Sequence, residues 1–400
     1  MFQGVTTTGV LGVPDFRRIW LVGSFISIAR WLEMLVIAVM VYDQTKSPFL
    51  VASMTLVRLL PMGLFGATLG VAADRFQRRH ALVAVVCCQA MVAAGLVVAS
   101  LLGQPPVWLL GLAAFISGIA WASDNPVRRM MLGEIVGTTR MASAMSLDVV
   151  ANNASRVAGP ALGGALLAAQ GPMAAFILSL VLYLLAGVAA LRIRHRSTVT
   201  QRPLSVIRDT RESFALVLRQ PGMRGVLIVT IIYNLFGWPA NSMVPVIGAG
   251  TLGLGPDGVG LLASMDGVGA FIGAMVLAAR APAHWYRPVY IGGCALYCGM
   301  ATAFALAPGV VPAGLALVVM GAGGAGFATM QATLVYIAMP AEERSRALGV
   351  LSVCVGLGLL GFLHLGLMAD WIGAPAATAL MGLEGLLALA LTWRWWRAPR

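Results

Sequence analysis

Along the chain, apolar stretches of about 20 or more residues alternate with short clusters of arginine, proline, glycine and aspartate. The stretches fall near residues 17–42, 48–73, 81–102, 106–130, 143–169, 172–193, 224–249, 257–280, 288–308, 311–337, 346–370 and 372–394. A bilayer core about 30 Å thick needs roughly 20 helical residues per crossing, so the pattern predicts twelve transmembrane α-helices. Membrane strands would be about ten residues long and alternate in polarity, so runs of this length exclude a β-barrel. The first run passes directly into a short loop without a small-residue cleavage pattern, and no signal peptide is expected.

Composition agrees with this pattern. Of 400 residues, 59% are hydrophobic and 10% charged, with mean hydropathy +0.88, which excludes a soluble globular domain. Arginine gives the orientation. Of the 27 lysines and arginines, 23 lie in alternate connecting segments, at the run ends beside them or at the chain ends, Lys46 alone lies on the opposite side, and Arg30, Arg58 and Arg156 lie well inside the runs. This bias predicts both termini in the cytoplasm. The net charge of +12 is then a topology signal facing anionic membrane lipid and requires no nucleic-acid partner.

Segment 194–223, rich in Arg, Ser, Thr and Pro, separates six runs from six and reads as a cytoplasmic linker, with an amphipathic stretch around "SVIRDTRESFALVL". It divides the chain into predicted six-helix bundles at 1–193 and 224–400. Two short matches have nearly the same offset: "RMASAMS" (140–146) with "RALGVLS" (346–352), and "GATLGVAADR" (66–75) with "GAMVLAARAP" (273–282). Duplicated bundles of this kind are the architecture of one large class of secondary transporters.

Ionisable side chains within membrane runs are costly and mark pathways. Asp148, Asn152 and Arg156 recur every four residues and share a helix face. Arg30 and Glu33 stand one turn apart, Arg58 lies in the second run, Asp266 in the eighth and Glu384 in the last. Two readings stand side by side. Arg30–Glu33 and Asp148–Arg156 are permanent ion pairs that satisfy one another, or they are acids that exchange protons and so release their arginines. A carboxylate in low dielectric favours its protonated form, which makes Glu33, Asp148 and Asp266 the proton-coupling candidates.

The stretch "GVAADRFQRR" (70–79) resembles the G-x-x-x-D-R-x-G-R-R motif between the second and third helices of major facilitator superfamily transporters. Gly70, Asp74, Arg75, Arg78 and Arg79 match, and Gln77 replaces the frequent glycine. Over the whole chain the wording is most similar to the drug:proton antiporter-3 branch, which includes the enterobactin exporter and macrolide efflux pumps. In this motif an acid such as Asp74 caps a neighbouring helix N-terminus, and the resemblance implies that Arg78 reaches Asp124, forming a latch that closes in one conformation. "GPALGG" (159–164) resembles the antiporter motif of exporters, with Gly159, Gly163 and Gly164 allowing close helix approach and Pro160 introducing a kink. Related exporters often carry an acid near the position of Arg30, so the departure "SIAR" moves any proton carrier to Glu33 or elsewhere.

By resemblance, helices one, four, seven and ten line a central cavity, and two, five, eight and eleven form the interface between halves. Arg30, Trp31, Arg58, Trp121, Asp124, Asn125, Arg156, Tyr233, Asn234, Trp238 and Gln331, with Asn241 and Met330, are then the lining and gating candidates. Aromatic and amide side chains suit amphipathic organic molecules, and Arg30 with Arg58 tilts the choice toward an anionic or catecholate ligand. The expected function is a proton-coupled exporter of drugs, secondary metabolites or siderophores. A lysophospholipid facilitator and a non-transporting membrane scaffold are the alternatives. Cys87, Cys88, Cys294, Cys298 and Cys354 lie within helical runs and read as small buried apolar residues. Neither a phosphate-binding loop nor metal-ligand spacing is present in the sequence, so no cofactor, metal or enzymatic activity is expected. The expected partners are a small-molecule substrate, protons and membrane lipids, and the expected state is a monomer in the bacterial inner membrane.

Overall fold

The computed structural model describes residues 8–75, 77–195, 214–280, 282–340 and 343–396, and these are helical throughout apart from short connections. The long helices are α1 (Pro14–Thr45), α2 (Pro48–Arg75), α3 (Arg78–Leu102), α4 (Val107–Gly137), α5 (138–170) and α6 (Pro172–Leu191). The series continues with α7 (Gly222–Gly250), α8 (Pro256–Arg280), α9 (Tyr286–Ala305), α10 (Val310–Ala338), α11 (Arg346–Ile372) and α12 (Ala374–Leu391). Every predicted run falls on one of these helices. Among the described residues, ten helical stretches are long and apolar enough to cross a membrane, and Pro48–Gly63 is a shorter apolar helix. The fifth run, with its polar Asp148, Asn152, Ser155 and Arg156, is outside that set. The described residues thus form an all-helical, multi-pass membrane protein.

Local chemistry explains the boundaries. Pro172 opens α6 just after Gly171, whose φ of 80° suits glycine, and proline at the first helical position sacrifices an N–H that has no partner anyway. The break expected between 130 and 143 shrinks to one residue: helical backbone runs from Val107 to Gln170 and departs only at Gly137, with φ 71° and ψ 173°. Pro160 lies in this helical stretch, whose one departure from helical φ/ψ is at Gly137. In α7 the regular helix ends at Ile232, loosens into a π turn over Tyr233–Gly237 and tightens into a 3-10 turn over Trp238–Met243 before resuming at Val244. Pro239 and Pro245 remove two N–H donors there, which is a sufficient cause for the irregular ladder.

The chain separates into two compact units, Met1–Met40 with Val57–Pro203, and Val41–Leu56 with Leu204–Arg400. The hairpin joining α1 to α2 therefore belongs to the second unit. There Asp370, near the end of α11, accepts hydrogen bonds from Ser47 Oγ at 3.1 Å and Phe49 N–H at 3.2 Å, at the first turn of α2. In the first unit Phe16, Ile19 and Ile26 pack with Leu82, Met131 and Tyr183. In the second, Val229, Tyr290, Cys294, Phe327 and Leu389 form the core. Large apolar side chains such as Leu102, Leu391 and Trp371 point outward, as lipid contact allows.

Helices in lipid gain nothing from hydrophobic association and rely on close packing at small residues. A Cβ on Gly118 of α4 would strike the Arg58 carbonyl of α2. A Cβ on Gly321 of α10 would strike the Asp266 carbonyl of α8. The two crossings have the same form, second helix against fourth in each half of the chain.

Candidate transport site

Glu33 and Arg30 lie one turn apart on α1, yet each takes its partner from another helix. Arg30 Nη2 donates to Asp124 Oδ2 of α4 at 2.9 Å, and its guanidinium lies 5.0 Å from the Trp121 ring centroid. The Tyr183 hydroxyl of α6 donates to Glu33 Oε2 at 3.1 Å and accepts from Gln89 Nε2 of α3 at 3.2 Å. Arg58 of α2 donates to the Arg30 carbonyl at 3.3 Å, and both arginines act electrostatically on Glu33. Five helices thus contribute to one buried cluster. Glu33 is 2% exposed, Arg58 and Asp124 3% each.

The cluster balances in charge but is short of hydrogen bonds. Two guanidiniums face two carboxylates, so it is neutral with both acids ionised. Arg30 Nε, Glu33 Oε1, Arg58 Nη2, Gln89 Oε1 and Asp124 Oδ1 are buried with no hydrogen-bond partner among the described residues. Incomplete satisfaction is costly in low dielectric. It leaves room for a change of partner or of protonation, which a fully satisfied network would resist.

The expected latch is arranged differently. Arg78 pairs with Glu134, which also meets His195 Nε2 at 3.1 Å, and Arg79 donates to the Leu191 carbonyl at 2.6 Å. Asp124 is not the acid that Arg78 reaches: it lies ten residues back along α4, about 15 Å at the α-helical rise, and is neutralised by Arg30. The side chains of Gly70, Asp74, Arg75 and Asn125 lie outside the described residues. On α5, Asp148 pairs with Arg128 and stands 3.9 Å from Arg129 Nε, so the Asp148–Arg156 pair is not formed. Arg156 instead lies 5.3 Å from the Trp31 ring centroid. The motif glycines do provide close approach. A Cβ on Gly159 would sit 2.9 Å from the Leu32 amide nitrogen of α1, and one on Gly163 would sit 3.2 Å from the Leu32 carbonyl. Pro160 and Gly164 are buried on the same helix.

In the second unit the expected lining residues satisfy one another. Tyr233 stacks on Phe327 at 3.8 Å and meets Tyr297 edge-on at 4.9 Å, while Phe327 stacks on Tyr290 at 5.0 Å. Gln331 donates to Thr230 Oγ1 at 2.9 Å, Thr230 shares a 2.8 Å hydrogen bond with Tyr290, and Asn234 donates to the Thr230 carbonyl at 2.8 Å. Trp238 lies edge-on to Phe362, Met330 is buried, and Asn241 donates to Asp266 at 3.4 Å. Gln89, Arg128, Glu134, Tyr183 and Tyr290 were not among the residues singled out by sequence. Gln89 and Tyr183, with Ser100 and Ser179, are among the few polar residues of two largely apolar runs, the one available signal. The five cysteines are free, but Cys87 is exposed on α3 and not buried as expected. Among the described residues, no group of His, Cys, Asp and Glu could hold a metal ion.

A multi-pass helical scaffold with a buried, incompletely satisfied ionic cluster defines a membrane transporter. The fold is similar to that of a solved POT family transporter in complex with thioalcohol conjugated peptide, with TM-score 0.80, 11% identity and 95% of each chain covered. The chain belongs to the transmembrane secretion effector family of the major facilitator superfamily, whose model matches residues 6–399. It is 23% identical to the uncharacterized MFS-type transporter YfiS of Bacillus subtilis, over 91% of this chain and 89% of that one. It is 22% identical to macrolide efflux protein A of Enterococcus faecalis over 57% of this chain and 72% of that one. It is 23% identical to the staphyloferrin A transporter of Staphylococcus aureus over 55% and 56%. The family and the relatives point to transport.

Proposed function

We propose that the protein is a twelve-helix secondary exporter of the bacterial inner membrane, with both termini cytoplasmic, acting as a monomer by proton antiport and alternating access. Its cargo is an amphipathic organic molecule of the drug, secondary-metabolite or siderophore class. The observation that carries the reading is Glu33, buried in the first unit with one oxygen on Tyr183 and the other unpartnered, facing Arg58 and Arg30. With Glu33 ionised the cluster is neutral. A proton on Glu33 leaves it with one excess positive charge and frees Arg58 to find another partner. Such a change alters the relative energies of two conformations and shifts their populations. Relatives named for macrolide efflux and staphyloferrin A transport support the cargo class and the outward direction.

Expression in a bacterium stripped of its efflux pumps tests this, by measuring accumulation of macrolides, dyes and catecholate siderophores with and without a protonophore. Lower accumulation that the protonophore abolishes, and that Glu33→Gln also abolishes, is the expected result. Export of a panel member that is indifferent to the protonophore would overturn the proton coupling. Unchanged accumulation across the panel would overturn the cargo class and favour a lipid facilitator.

A further inference from the structure

The arginine-rich ends of the two units neutralise their charge differently. In the first unit Arg18 pairs with Asp15 at 2.6 Å, Arg78 with Glu134 and Arg128 with Asp148. In the second, the described arginines meet backbone and rings and no carboxylate. Arg344 donates to the carbonyls of Tyr336 at 3.0 Å and Met339 at 3.3 Å, Arg224 donates to that of Leu218, and Arg394 lies over the Trp393 ring. Arg287, in the first turn of α9, has neither a hydrogen bond nor an ion pair among the described residues.

Arg287 lines a cavity of about 180 Å³ formed by the start of α7, the start of α9, the end of α10 and the C-terminal turn at Trp396. Gly225 lets that turn pass close to α7: a Cβ there would sit 2.9 Å from Trp396 Cα and 3.2 Å from Arg287 Nη2. The other polar groups on the wall are already used. The Tyr290 hydroxyl donates to the Val226 carbonyl at 2.8 Å, and Trp396 Nε1 donates to the Leu389 carbonyl at 3.0 Å. The remaining wall is apolar and continues onto Leu334 and Ile337, the latter 66% exposed on the outside of the bundle. An uncommitted guanidinium therefore sits in a largely apolar slot whose wall includes the exposed Ile337.

We propose that this cavity binds the headgroup of an anionic phospholipid, with Arg287 donating to the phosphodiester oxygens and the acyl chains running outward along Leu334 and Ile337. A guanidinium presents two parallel N–H donors that match the non-bridging oxygens of a phosphodiester. Basic pockets between helices at the cytoplasmic side suit anionic headgroups, and indole rings suit the membrane interface. The apolar wall and the exposed Ile337 favour a lipid over a free anion, which would have no use for them. The site rests on the membrane placement proposed above, which puts this end of α9 in the cytoplasmic leaflet.

The test uses the purified full-length protein in detergent and follows its thermal unfolding midpoint against phosphatidylglycerol, phosphatidylcholine and inorganic phosphate. Phosphatidylglycerol is expected to raise the midpoint at concentrations where phosphatidylcholine and phosphate do not. Arg287→Gln is expected to need about tenfold more phosphatidylglycerol for the same rise, the lower end of what a hydrogen bond to a charged group contributes. Leu334→Trp fills the slot while leaving the arginine in place and is expected to weaken the response as well, which guards against a variant that fails to fold. Equal stabilisation by both lipids, or an Arg287→Gln protein that responds like the parent, would overturn the proposal. Stabilisation by phosphate alone, to the same extent, would overturn the lipid source in favour of a free anion. The assay needs no transport, so a failure of the export reading leaves its result standing. Maleimide labelling of Arg346→Cys in intact cells separately tests the membrane placement, with labelling only after permeabilisation expected and labelling of unbroken cells contradicting it.

Discussion

The first unit gathers buried charge into one cluster of two arginines and two acids, whereas in the second the buried polarity around Tyr290 is neutral hydrogen bonds and stacked rings, with Asp266 a buried acid apart from them. Arg58 and Asp266 occupy corresponding crossings, each presenting its carbonyl to a glycine of the fourth helix in its half. Around Arg58 stand Arg30, Glu33 and Asp124. Beside Asp266 the structure places the amide of Asn241, and elsewhere in the same unit the rings of Tyr233, Phe327, Tyr290 and Tyr297 pack together. The same backbone crossing therefore carries two kinds of interior. A charged interior responds strongly to one proton, because a net charge in low dielectric is expensive. A neutral, aromatic interior responds weakly. On the proposed function, the electrostatic switch lies in the first unit and a stiffer packing role in the second.

The largest effect that would break this assignment comes from the acids. Glu33→Gln keeps the size and the hydrogen bond from Tyr183 but removes the titratable oxygen. It is expected to lower protonophore-sensitive export by roughly tenfold to a hundredfold, the usual range of a coupling free energy. Asp266→Asn is expected to change it by less than about threefold, because an amide can still accept from Asn241. Transport assays on the two variants side by side would reverse the assignment if Asp266→Asn were the more damaging.

Next in size is Arg30→Ala, which strands Asp124 as an unpaired buried charge. A loss of about 3–5 kcal/mol is expected for such a broken pair, read as a lowered unfolding midpoint in detergent, with the Arg30→Ala/Asp124→Asn double variant recovering much of it. Recovery that failed to appear would mean that the pair is not what holds α1 to α4. Gly118→Ala and Gly321→Ala sharpen the comparison from the other side, since both place a Cβ against a backbone carbonyl. Each is expected to destabilise by about 1–3 kcal/mol, and by similar amounts, because packing is the property that the two units share. The smallest effect belongs to Phe327→Leu, which keeps an apolar core and removes two ring contacts. It should lower stability by about 0.5–1.5 kcal/mol with little change in export, as thermal unfolding and accumulation assays would show.

The helices were legible in the sequence because membrane crossing demands long apolar runs, and every predicted run lies on helical backbone. The connection between α4 and α5 was misjudged because charge marks a membrane surface without saying whether the backbone there is helical. Arg128 and Arg129 stand at the end of the fourth run and were counted with the positive inner side, yet Arg128 is buried against Asp148. Asp124 was singled out only through the family resemblance, whereas the importance of Glu33, Arg30 and Arg58 followed from their charge inside apolar runs. Their pairing did not, because residues one turn apart on a helix compete with partners from neighbouring helices that only the fold brings near. Arg30 chose Asp124, 94 residues away, over Glu33. Tyr183 and Gln89 escaped notice because uncharged polar residues occur in many helices, and their role lies in whom they touch.

The central claim is that the titrating acid of this transporter is Glu33, in the first unit. Infrared difference titration of the purified protein measures it without any knowledge of the cargo, by following the carboxylic-acid carbonyl band as pH is changed. The account predicts a band that disappears in Glu33→Gln and persists in Asp266→Asn. A band that persists in Glu33→Gln and disappears in Asp266→Asn would contradict it and move the proton switch to the second unit.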